Sequence, residues 1–201
     1  MMPKRLAAFD VEATCIRGPS CKIVSAALVE IRGDELVLDS IRCAVEPPSV
    51  SVGRTALVHG ITGANATRLG SLSSLLAEAA TYTLVTYGDH DAALLLQEAE
   101  RRGLPINKVC FIDVLSYLLS NPSRRYQAMR RGGYPLEEAI REILGISPPE
   151  TRFHDPIVDA VYVGLLYIKL RKRGDEPKTT CITKRRSLFS VITGFFRGKK
   201  H

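Results

Sequence analysis

The chain has 201 residues, 45% of them hydrophobic, which is enough to bury one sizeable core. The formal charge of +7 is uneven: residues 171–201 hold ten Lys or Arg against two acids, net +8, while residues 1–170 hold eighteen against nineteen, net −1. No apolar run is long enough to span a bilayer and no signal-peptide pattern is present, so an intracellular, cytoplasmic protein is expected.

The five cysteines (Cys15, Cys21, Cys43, Cys110 and Cys181) are odd in number and lack Cys-x-x-Cys spacing. They predict reduced, mainly buried thiols rather than a disulfide framework or a zinc site.

Along the chain, Arg5 to Phe9 is short and apolar enough for a buried strand, and Asp10 and Glu12 follow it two residues apart. In an extended chain both face the same side. Two such carboxylates repel unless a cation sits between them, and hard oxygen ligands suit Mg²⁺ or Mn²⁺. A solvated strand end accounts for the pair when it is taken alone. Lys22 to Ile31 and Glu35 to Val45 alternate as strands around the turn Arg32-Gly33-Asp34, and Leu72 to Ala80 predicts a helix.

Thr83 to Tyr87 is another apolar strand. It leads through Gly88-Asp89-His90 into a helix from about Asp91 to Arg102, with Ala92, Leu95, Leu96 and Ala99 on one face. Asp91 at that N-terminus reads as a cap or as a ligand; Asp89 competes for either role, and spacing does not separate them. Val109 to Ile112 predicts a strand.

Arg124-Arg125-Tyr126 and Arg130-Arg131 then concentrate positive charge. They suit either a solvated loop or a guide for a backbone phosphate, with Tyr126 or Tyr134 stacking a base. Leu136 to Leu144 reads as a helix. His154 follows Pro148 and Pro149 in a loop, and Asp159 lies within a helix, Ile157 to Arg171, that is apolar at Val158, Val161, Leu165 and Ile168. An Asp beside that stripe is costly unless paired or metal-bound. A histidine placed before the helix is suited to accept a proton from a metal-activated water, since imidazoles titrate near neutrality; an exposed loop histidine is the plainer reading.

Taken together, Asp10-Val11-Glu12, Asp91 and His154-x-x-x-x-Asp159 resemble the DEDD superfamily of 3′-to-5′ exonucleases. The match is to its DEDDh branch, the DnaQ-like or RNase T/polymerase III epsilon-like group. The histidine five residues before the last Asp favours this branch, because its sister carries a tyrosine four residues before, where this chain has Asp155. Val58-His59-Gly60-Ile61-Thr62 resembles the His-Gly-Ile-Thr loop of DnaQ-like domains, which borders the site and holds the terminal nucleotide. Ala13-Thr14-Cys15 and Tyr87-Gly88-Asp89-His90-Asp91 depart from the commonest DnaQ-like pattern. They look more like the branch that trims 3′ ends of structured and small RNAs. Pro156 stands where Ala is common.

The resemblance covers about residues 5 to 170. It implies an α/β fold, RNase H-like, with a mixed five-stranded sheet flanked by helices over residues 1–170; the charge distribution adds a basic, partly disordered tail over 171–201. It further implies two Mg²⁺ or Mn²⁺ ions held by Asp10, Glu12, Asp91 and Asp159, with His154 as general base. Thr14, His59, Ile61, Arg124, Arg125 and Tyr126 would contact substrate, and nucleoside monophosphates would leave the 3′ end of a single strand. DNA and RNA are not separated by these motifs. A binding-only descendant or a short-oligonucleotide hydrolase are the other classes open.

Within the tail, Ile192 followed by Phe195 and Phe196 resembles the sliding-clamp-binding PIP box, although Phe189 occupies the place of its usual Gln. A membrane-surface helix and a segment packed on its own domain are the rival readings.

Overall fold

The first strand, β1 (Leu6–Ala13), shows how the sheet is faced. Ala7, Phe9, Val11 and Ala13 point into one apolar cluster and Ala8 into the other, the two-residue alternation of an extended chain. Asp10 and Glu12 continue the Ala8 side. The computed structural model describes residues 5–15, 18, 20–48, 61, 68–148 and 154–184. After β1 come β2 (Ile23–Arg32), β3 (Glu35–Leu36), a 3-10 turn (Leu38–Ser40), β4 (Arg42–Val45) and α1 (Leu72–Ala79). Next are β5 (Thr83–Thr86), α2 (His90–Arg101), β6 (Lys108–Asp113), α3 (Val114–Leu118) and α4 (Pro122–Arg131). The described chain finishes with α5 (Leu136–Ala139), a π-helical turn (Ile140–Leu144), α6 (Pro156–Lys172) and β7 (Thr179–Thr183).

The strands form one mixed sheet in the order β3-β2-β1-β5-β6-β7, with β4 also paired to β2. β1, β5 and β6 run parallel, while β2 and β7 are antiparallel to their neighbours. One face is covered by α1 and α2, whose Leu72, Leu75, Leu76, Leu94 and Leu95 pack on Phe9, Leu28, Leu84 and Phe111. The other is covered by α6 and the α3 to α5 region, through Val163, Leu166, Leu118 and Ile140 on Ala8, Val29, Val85 and Ile112. Gly164 lets α6 lie close to the sheet: a Cβ there would meet Leu36 Cδ2 at 2.6 Å and Ala8 Cβ at 3.1 Å.

The expected α/β architecture is present, with seven strands in place of five. The stretch 35–45 is not one strand. Ser40 Oγ donates to the Val37 carbonyl at 2.6 Å and accepts from the Glu30 amide at 2.8 Å, which bends the chain between β3 and β4. The seventh strand comes from residues assigned to the basic tail: Thr179 to Thr183 pair with Ile112 to Lys108, so the sheet extends past residue 170. Residues 122–131 are a helix rather than a loop, capped by Asn121, whose side chain accepts the Ser123 and Arg124 amides, and ended by Gly132 at φ 78°.

The expectation of five reduced thiols is also corrected. Cys15 is joined to Cys21 and Cys110 to Cys181, leaving Cys43 free. Cys110 and Cys181 are direct partners across β6 and β7, a proximity that sequence spacing does not reveal. Among the described residues no helix is long and apolar enough to cross a membrane.

Candidate metal centre

The parallel strands end on one side of the sheet, the usual place for a site in an open α/β sheet. β1 brings Asp10 and Glu12 there on the face covered by α6, and the pairing of β1 with β2 is irregular between Glu12 and Ala13. Such a bulge re-aims side chains beside it. Beyond, the chain closes a loop: the Thr14 amide donates to the Lys22 carbonyl at 2.9 Å and Thr14 Oγ1 accepts from the Lys22 amide at 3.1 Å. The Gln97 side-chain amide on α2 donates to the Cys21 carbonyl at 2.9 Å, tying that loop to the second helix.

β5 delivers the next carboxylate. Its end turns through Gly88 at φ 104°, a conformation that favours glycine, and the Gly88 amide donates to Asp113 Oδ1 at 3.0 Å. The turn places Asp91 in the first turn of α2, where it is 7% exposed. Asp89 occupies the N-cap position without a side-chain capping bond, and it faces a groove of about 600 Å³ shared with Asp113, Phe111 and Ile182. That groove opens beside the carboxylates and is not lined by Asp10, Glu12 or Asp159.

α6 supplies the last group. Asp155 caps the helix by accepting the Ile157 amide at 2.9 Å, Pro156 fills the first helical position, and Asp159 follows one turn in, 6% exposed. The His154 amide donates to Asp159 Oδ2 at 3.1 Å, whereas Asp159 Oδ1 is buried and finds no hydrogen-bond partner among the described residues. His154 Nδ1 stands 3.8 Å from Glu12 Oε1, and its side chain is half exposed. Ligand atoms of Glu12, His154 and Asp159 all lie within 4.8 Å of one another.

Electrostatics tie Asp10 and Asp91 to this cluster. Burial, then the charges of Asp91, Asp159 and Glu12, push Asp10 well above the usual carboxylate range. Burial and then Asp159, Asp113 and Asp89 do the same to Asp91. Glu12 is pushed up to about 8 by burial, Asp159 and Asp91. Burial lifts Asp159 to about 7, opposed by the His154 amide bond and helped by Glu137 and Asp155. Four carboxylates raised by burial, three of them also by charges within the group, and one with an orphaned oxygen form a hard-oxygen donor set that fits Mg²⁺ or Mn²⁺.

Of the other residues singled out in the sequence, Arg124, Arg125 and Tyr126 lie on α4. Arg124 is committed to Glu142, at 2.6 Å from Nη2 to Oε1, while Arg125 and Tyr126 are exposed. Tyr134 is buried and its hydroxyl donates to Glu142, which corrects the expectation that it stacks a base. Ile61 is half-buried. His59, Ile192, Phe195 and Phe196 lie outside the described residues. Asp155, Asp113 and Glu137 add to the negative field and were not singled out. Asp155-Pro156 was readable as an N-cap followed by a proline at the first helical position, while the other two gave no signal.

No protein-family model and no curated protein sequence matches this chain. Solved structures do. The nuclease domain of 3′hExo, a DEDDh family member bound to rAMP, superposes with a TM-score of 0.68 at 16% identity, covering 91% of this chain and 98% of that one. Exonuclease X in complex with 5′-overhanging duplex DNA gives 0.56 at 14% identity, covering 86% and 95%. Exonuclease I of E. coli, in complex with a dT13 oligonucleotide, gives 0.63 at 13% identity, covering 85% of this chain and 42% of that one. The chain therefore has the fold of the DEDDh 3′-exonuclease domain.

Proposed function

We propose that the protein is a metal-dependent 3′-to-5′ exonuclease that hydrolyses single-stranded DNA or RNA from its 3′ end and releases nucleoside monophosphates. The carrying observation is the convergence of Asp10 and Glu12 from β1, Asp91 from α2 and Asp159 from α6 into one mutually repelling group, with His154 at its rim. The shared fold supports the same reading.

In this reading Asp10, Glu12, Asp91 and Asp159 hold two divalent cations, Mg²⁺ or Mn²⁺. Such ions lower the pKa of a bound water and neutralise charge on the leaving oxygen. Burial of Asp91 and Asp159 keeps bulk water from the donor set. His154 is the general base: its Nδ1 stands 3.8 Å from Glu12 Oε1 at the rim of the cluster, and its imidazole would take the proton of the attacking water. Its half exposure gives that proton a path to solvent. In the tail, Ile192, Phe195 and Phe196 serve as a tether to a sliding clamp, a reading supported by their spacing alone. A clamp pull-down with Phe195→Ala/Phe196→Ala as the control tests it.

The test of the enzymatic reading is degradation of 5′-labelled single-stranded DNA and RNA of equal sequence with Mg²⁺ or Mn²⁺. A ladder shortening from the 3′ end, absent for Asp10→Ala, is expected. Equal cleavage by Asp10→Ala rejects the assignment, and a preference for two- to five-residue substrates moves it to a short-oligonucleotide hydrolase.

A further inference from the structure

α4 carries five positively charged or aromatic side chains in ten residues and no acid: Arg124, Arg125, Tyr126, Arg130 and Arg131. Only Ala128 of this helix is buried. At about 100° per residue, the side chains sort by direction around the axis. Arg124 and Arg131 lie together on one flank of Ala128, and both are spent: Arg124 pairs with Glu142 and Arg131 with Glu138 at 2.5 Å. Arg125 stands on the other flank of Ala128, about 60° away, and Met129, Tyr126 and Arg130 follow from it round to the far side.

That outer face has no protein partner among the described residues. Tyr126 is 62% exposed and Met129 76% exposed, and three residues apart on the helix they are surface neighbours. Arg130 lies over the Tyr126 ring, its guanidinium carbon 5.9 Å from the centroid, and Arg125 makes no ion pair among the described residues. Side-chain bonds link this helix and the residues after it to the chain leading into Asp91. Tyr134, just beyond its end, shares Glu142 with Arg124, and the Tyr87 hydroxyl donates to the carbonyls of Tyr134 at 2.9 Å and Pro135 at 3.2 Å. Tyr87 directly precedes the Gly88 turn into Asp91, and Glu137 of α5 is close enough to raise Asp159.

We infer that the outer face of α4 is a second contact for the polynucleotide strand whose 3′ end reaches the carboxylates, with Tyr126 stacking a base and Arg125 and Arg130 on its phosphates. The occupant is single-stranded nucleic acid because the face offers what such a strand presents: flat rings for an aromatic surface and a regular row of anions for unpaired cations. Met129, beside Tyr126, widens the apolar strip. The inference rests on the exonuclease reading for which strand is bound, and it gives the enzyme a hold on strand lying 5′ of the scissile bond.

The experiment measures anisotropy of labelled single-stranded RNA and DNA of about twelve nucleotides on the full chain in EDTA, across a salt series. Because nothing is hydrolysed, its outcome is separate from that of the Asp10→Ala assay. Arg125→Gln/Arg130→Gln should weaken binding about tenfold and flatten the slope of log K against log salt by about 1.4, the value for two phosphates of a single strand. Tyr126→Ala should weaken it by about fivefold to a hundredfold, and Tyr126→Trp should restore it. Arg131→Gln, whose parent side chain points to Glu138, should leave the slope unchanged. An unaltered slope in the double variant, the result expected of a face built for an acidic protein, overturns the inference. So does equal flattening by Arg131→Gln, which would mean that charge alone matters.

Discussion

The amide of His154 donates to Asp159 Oδ2 at 3.1 Å while the residue itself is held at φ 67°, so the base and the ligand are joined through backbone rather than through the imidazole. His154 is the one described non-glycine residue with positive φ. The conformation that keeps its amide on Asp159 also turns the ring toward Glu12.

His154→Asn separates the two roles. Asparagine enters left-handed backbone several-fold more readily than most residues, so the amide bond to Asp159 should survive. Hydrolysis should fall by about 10²- to 10⁴-fold, the usual value of general base catalysis, while Mn²⁺ affinity by calorimetry stays within about threefold. His154→Val, β-branched at positive φ, should lose both.

Without metal, the carboxylates set a pH dependence. Glu12 is raised from 4.5 to about 8 and Asp159 from 3.8 to about 7, so the folded protein binds more protons than the unfolded chain between those values. In a chelator the contribution of these two groups to stability is therefore fully present below about pH 4 and is lost as pH rises toward 8. Saturating Mg²⁺ should raise Tm most at the alkaline end and release protons on binding. Asp10→Asn should melt higher than the wild type in chelator at pH 8, with the order reversing in Mg²⁺. Thermal melts over pH, with and without Mg²⁺, check all three.

Glu98 is 1% exposed on α2 and accepts from Arg101 and Arg102, and Arg102 continues to Glu46 Oε2 at 2.5 Å. Arg102→Ala leaves the buried carboxylate short of a partner and should cost about 3 kcal/mol in urea unfolding. Glu98→Met removes the buried charge itself and should cost less. The opposite order would show that the network is held by Glu46.

Gly164→Ala should destabilise by about 1 to 3 kcal/mol, because the new Cβ meets Leu36 Cδ2 at 2.6 Å and Ala8 Cβ at 3.1 Å. Leu36 is flexible at its tip and β1 is not. Leu36→Ala in the same chain should recover part of the loss, measurable as a double-mutant cycle.

The sequence was most legible where a period and a chemistry coincide. Asp10 and Glu12 continue the even face of β1, and Asp159 adjoins the apolar side of a long helix; both patterns are written in neighbouring residues. α4 was missed because one buried alanine makes no stripe. β7 was missed because Thr179 to Thr183 are mostly exposed at a sheet edge and lie within a basic composition. The choice between Asp89 and Asp91 had no local signal: what distinguishes them is burial against Asp10 and Asp159, which exists only after the turn at Gly88 is made. The two disulfides depend on strand register and loop closure in the same way.

β1 and α6 stand at opposite ends of the described chain, yet they hold Asp10 and Asp159 against each other. Translation therefore produces the first acidic pair long before the last. Until α6 has cleared the ribosome and laid itself across the sheet, a nascent polypeptide carries the acids of the centre but not the centre.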